Sequence, residues 1–140
     1  MRNDKQIAIG GWVDGLIACM ALVLGLALTP HTRAHVVWHG ALALFVAEGL
    51  GMAAMEFFSD SATGLRGSLI MGVATGIPIL AIGAPWTVAG GAAALMASIV
   101  VAVVLAGILA IERGGGAKGW VQTFAVLGAV SIVAALSGAI

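Results

Sequence analysis

The chain has 140 residues, 61% hydrophobic and 9% charged, with a mean hydropathy of +1.15. A soluble domain of this size could not hide so much apolar surface, so composition points to a membrane protein. The net charge of zero excludes a basic footprint for nucleic acid, and the lone Cys19 excludes an intrachain disulfide.

Hydropathy divides the chain into five spans of roughly the 20 residues a bilayer needs. They run over about 7–29, 36–58, 65–82, 88–111 and 120–140. The opening MRNDK followed by an apolar run resembles a signal peptide. Asp14 inside that run, and the spans that follow, argue for a retained first span. No separate soluble domain is visible, so 1–140 reads as a single transmembrane domain. The fold class expected is all-α, a polytopic membrane protein.

The first span ends at Pro30. Gly10, Ala18, Ala21 and Gly25 share a helical face with Asp14. Such a small-residue stripe lets another helix approach closely, so Asp14 is expected to face protein.

The second span holds the stretch AEGLGMAAMEFF from Ala47 to Phe58. Glu48, Met52, Met55 and Glu56 fall within an arc of about 100° there. A carboxylate at the bilayer centre costs about 2.5–3.5 kcal/mol on insertion scales. Intramembrane acids are rare and mark pathways, so Asp14 and Glu48 read as functional. Glu56 alone would also fit a snorkelling residue at a helix end. Counted from the span ends, Asp14 lies about 10 Å in and Met52 about 9 Å. The expected ladder runs from Glu56, through Met55 and Met52 beside Asp14, to Glu48.

The third span contains Pro78, which predicts a kink or change of tilt. Its Gly72–Gly76 pair is a GxxxG match, read as helix packing. Gly83-Ala84-Pro85-Trp86 can form only a tight hairpin into the fourth span. His31, His35 and His39 recur every four residues near Trp38. They read as interfacial polar residues, an exit-side relay being the alternative. Met20, Met71 and Met96 lack acids nearby in sequence and read as packing.

Placing the N-terminus inside puts Arg2, Lys5, Arg66, Arg113 and Lys118 in the cytoplasm and only Arg33 outside. The positive-inside rule therefore gives N-in, C-out.

Carboxylates mixed with thioethers suit a transition metal better than Mg²⁺ or Ca²⁺. A desolvated carboxylate also holds a proton until a cation displaces it, which is the basis of cation/proton exchange. No nucleophile–base pair or cofactor constellation is visible, so an enzyme is not expected.

These residues resemble the vacuolar iron transporter family. Asp14-Gly15-Leu16, followed by Leu22 and Gly25, looks like the DGL motif of its first span. Gly51-Met52-Ala53-Ala54-Met55-Glu56-Phe57-Phe58-Ser59 looks like its SMAAGEFVS run, and Gly76-Ile77-Pro78 resembles its third-span signature. The resemblance spans the chain but is specific only in the first two spans. It implies a homodimer that exports Fe²⁺, sometimes Mn²⁺, in exchange for protons, along a path between the first two spans of each protomer. Asp14, Met52 and Glu56 match the family's ion-binding residues. Two-fold symmetry would double each ligand.

Two positions depart from the pattern: Met55 stands in place of a glycine, and Glu48 in place of a small residue. The long cytoplasmic metal-collecting domain is absent, as in the short, nodulin-type branch. The metal site expected is Asp14, Met52 and Glu56, with Glu48 and Met55 extending it. The cofactors expected are none beyond the transported ion, and the location is a cell (inner) membrane if the source is prokaryotic. The rival readings are a proton-coupled organic-cation exporter and a non-transporting scaffold or accessory subunit.

Overall fold

A computed structural model describes residues 3–59, 64–114 and 116–138. Arg2, Ile140 and the whole link between Ser59 and Gly64, residues 60–63, lie outside the described residues. The helices are α1 (Asp4–Ala27), α2 (Ala34–Ser59), α3 (Gly64–Gly83), α4 (Gly91–Glu112) and α5 (Ala117–Gly138). Among the described residues there is no strand. All five helices are long and apolar enough to cross a membrane. At 1.5 Å per residue, even the 20 residues of α3 span about 30 Å.

Every helix boundary falls within three residues of the expected spans. α1 starts earlier because Asn3 and Gln6 form a capping box. The Asn3 side chain accepts from the Gln6 amide at 2.8 Å, and the Asn3 amide donates to Gln6 Oε1 at 3.2 Å. The start of α4 is pushed to Gly91 by a 3₁₀ turn over Ala84–Thr87, with Pro85 in its first turn. That turn is the hairpin expected from Gly83 to Trp86. α3 stays helical through Pro78, which is buried.

α3 is the centre of the bundle, packed along both α1 and α2, while α4 and α5 cover the other side of α1. The α1–α3 seam is made by glycines. A Cβ on Gly15 would lie 2.0 Å from the Thr75 carbonyl oxygen, and one on Gly11 would lie 2.6 Å from that of Met71. The Cys19 thiol donates to the Ile79 carbonyl one turn further on, at 3.3 Å. The α2–α3 seam has Gly72 against Gly49, Gly76 against the Phe45 ring and Gly83 against Ala41. The third-span GxxxG pair therefore serves packing. The close approach of α1 does not use the expected stripe. Gly11 and Gly15 make it, about 60° and 100° around the helix from Asp14. Gly10, Ala18, Ala21 and Gly25 are only half-buried.

Two ion pairs tie the N-terminal end of α1 to its neighbours: Lys5 to Glu112 at 3.0 Å, and Asp4 to Arg66. They place the starts of α1 and α3 and the end of α4 at one end of the bundle. Exposed pairs of this kind contribute about 0–1 kcal/mol, so they mark register more than they stabilise.

At the other end, Ser98 joins α4 to α3. Its hydroxyl donates to the Ile82 carbonyl at 2.7 Å and accepts from Trp86 Nε1 at 3.0 Å. Both side chains are buried. Ser98→Ala leaves the Trp86 donor buried and unpaired. The expected loss is about 1–3 kcal/mol, read as a lower unfolding midpoint in detergent.

Candidate functional site

α1 and α2 meet closely at one end and leave a groove at the other. At the closed end, a Cβ on Gly40 would touch Leu26 at 3.2 Å and Leu22 at 3.5 Å. Val37 and Ala41 are fully buried there. Toward the N-terminal end of α1 the cover thins. Gly51 has nothing within 4 Å of its Cβ position, and Met55 is 50% exposed. Asp14, Glu48 and Met52 are each half-buried.

α3 serves as a ruler for height. Gly15 lies against Thr75, Gly76 against Phe45 and Gly72 against Gly49. Asp14 is therefore level with the middle of α2, around Glu48. Helix ends give the same answer. Asp14 lies ten residues beyond Asp4, about 15 Å, and Glu48 lies eleven before Ser59, about 16 Å. Met52 is one turn lower. This differs from the expected pairing of Asp14 with Met52, because the capping box lengthens α1 at its start.

Side-chain lean partly restores that pairing. Helical side chains tilt toward their own N-terminus, and α1 and α2 run in opposite directions. By that general tilt an Asp14 side chain is directed down the groove and a Met52 side chain up it. Their tips converge in height, while Glu48 leans away toward the closed end.

One carboxylate oxygen, Asp14 Oδ2, is buried and has no hydrogen-bond partner. An orphaned acceptor of this kind is expensive unless a cation or proton completes it. Glu56 stands apart from the groove. It is fully buried and shares its helix face with Gly49 and Phe45, which pack on α3. Being fully buried, it is neither a snorkelling residue nor an exposed lining of the open groove.

Among the described residues, no three His, Cys, Asp or Glu side chains form a metal-sized cluster. The groove of one chain thus offers Asp14, Glu48, Met52 and Met55 as a partial set of donors. The histidines do not assemble a site either. His39 Nδ1 lies 2.6 Å from the His35 carbonyl, and the two rings meet edge-on with centroids 6.3 Å apart. His31 sits in the loop with a left-handed φ of 65°.

Sequence reasoning missed the packing role of Gly11 and Gly15, although they form their own GxxxG pair astride Asp14. It also missed Trp12, whose Nε1 is buried without a partner beside the Lys5–Glu112 pair. Comparisons with family models, curated proteins and solved structures find no match to this chain.

Proposed function

We propose that the chain is a proton-coupled exporter of a divalent transition metal, Fe²⁺ or Mn²⁺, acting as an N-in, C-out homodimer. The observation that carries the reading is Asp14 Oδ2, buried and unpartnered near the middle of a membrane-length helix. The motif resemblance in the first two spans to vacuolar iron transporters supports the choice of metal.

A second copy is argued from cost. Asp14 and Glu48 are only partly covered at mid-helix, and lipid is a poor neighbour for an acid. The residues around them are small, Gly10 and Ala18 half-buried and Ala47 and Gly51 exposed. A two-fold copy seated on it would shield the acids and double the donor set. Thioethers from Met52 and Met55 bias such a site toward softer ions. Metal entry displaces protons from the carboxylates, and protons entering from the far side displace the metal. Glu56 acts within its own chain, between α2 and α3 near the entrance.

Transport in proteoliposomes tests this. Fe²⁺, Mn²⁺, Co²⁺ and Zn²⁺ are each offered against a proton gradient, with an internal pH dye as readout. The expected result is metal-dependent proton movement with Fe²⁺ or Mn²⁺. No such movement with any of the four overturns the reading.

A further inference from the structure

A second polar feature lies away from the groove, where α1, α4 and α5 meet, between the C-terminal end of α4 and the middle of α1. A cavity of about 340 Å³ opens there, with Arg113, Gln122 and Thr123 at its polar part and Val13, Ile17 and Val126 among its apolar walls. Arg113 caps α4, its amide donating to Leu109 at 3.0 Å, and its side chain is exposed. Its guanidinium makes no ion pair among the described residues. The adjacent carboxylate, Glu112, is committed to Lys5 at 3.0 Å. The first turn of α5 carries no acid, so the positive end of that helix is unopposed beside Arg113. The Thr123 hydroxyl donates to the Gly119 carbonyl at 2.8 Å, leaving its oxygen as an acceptor.

The ligand that fits is amphipathic. A free cation at the end of α4 and an amide donor in the second turn of α5 suit a phosphate near headgroup depth. The walls below them are aliphatic and suit a hydrocarbon chain. A free phosphate would use only the first half of the site, and a neutral lipid only the second.

We propose that this cavity binds an anionic phospholipid, with Arg113 and Gln122 taking the phosphate and Val13, Ile17 and Val126 the acyl chain. The lipid would brace α1 against α5, on the flank of α1 away from α3.

Native mass spectrometry of the purified full chain tests this, with phosphatidylglycerol, phosphatidylcholine and inorganic phosphate as separate probes. Unfolding midpoints are read in parallel. Phosphatidylglycerol is expected to bind and raise the midpoint, and the other two to do neither. Arg113→Gln should weaken phosphatidylglycerol about fivefold or more. Val126→Trp, which fills the apolar part, should weaken it without touching charge. Lys118→Gln removes a nearby exposed cation outside the cavity and should bind as wild type does.

Equal binding of phosphatidylcholine or of inorganic phosphate overturns the proposal, and so does undiminished binding by Arg113→Gln. An equal loss in Lys118→Gln also overturns it, since that is the signature of diffuse surface charge. Midpoints without lipid separate a lost site from a lost fold.

Discussion

Gly15→Leu yields no folded bundle, and Gly15→Ala yields one that unfolds far earlier than wild type. A Cβ at this position falls 2.0 Å from the Thr75 oxygen, 2.8 Å from its carbonyl carbon and 3.1 Å from its Cα. All three are backbone atoms of a helix, so no rotamer change relieves the clash. The helices must separate. Separation stretches the Cys19–Ile79 hydrogen bond and opens the Gly11 contact with Met71 and Thr75 on the same seam. Because α2 also leans on α3, the groove loses its floor.

Overpacking a well-packed site costs about 1–3 kcal/mol, and more when nothing yields. Whole-domain stabilities are about 5–15 kcal/mol, so leucine here takes up a large share. Gly128→Ala is the control: nothing lies within 4 Å of its Cβ position. Size-exclusion profiles and unfolding midpoints in mild detergent read the difference. A Gly15→Leu protein with a wild-type midpoint would overturn the backbone contact of the α1–α3 seam.

That seam marks where the sequence stopped being informative. The five spans were legible because a bilayer imposes a length on every apolar run, and composition alone reports it. Which face of each helix turns inward was not. In lipid the outward face is as apolar as the core, so no polar stripe marks the boundary. Ile79 is fully buried and Ile77 is 46% exposed on the same helix, yet their side chains are identical. Glycines should have been the better guide, since close approach needs them. The stripe through Gly10 and Gly25 and the pair Gly11–Gly15 are equally plausible on paper. Only the partner's backbone, at Met71 and Thr75, decides between them.

The candidate site divides in the same way. Asp14 and Glu48 stood out because acids within apolar runs are chemically conspicuous. Their relative height depended on where α1 starts, which rests on one capping box. The height of Glu56, three residues before the end of α2, was legible, but its full burial was not.

Asp14→Asn abolishes metal-driven proton movement while leaving the bundle and its oligomeric state unchanged. The two side chains have nearly the same shape. The oxygen replaced, Oδ2, has no hydrogen-bond partner in this chain, so the substitution breaks no bond that holds the fold. The change in stability should stay within about 1 kcal/mol. What disappears is a negative charge and an exchangeable proton at a buried acceptor that has no partner among the described residues. A divalent ion then meets an amide in place of a carboxylate, and nothing at that position can trade a proton for it. Flux in proteoliposomes is expected to fall to the level of protein-free vesicles, with wild-type elution on size exclusion.

A scaffold that uses Asp14 only to grip a partner helix predicts the reverse. Its Asn variant would lose assembly first, because an acid that pairs a partner across a low-dielectric interface is costly to remove. Met52→Ala sharpens the contrast. It removes a thioether but no charge, so it should cut Fe²⁺ transport more than Mn²⁺ transport, since thioether favours the softer ion. Persistent flux in Asp14→Asn would remove Asp14 from the pathway, and with it the reason for reading the groove as a route for metal.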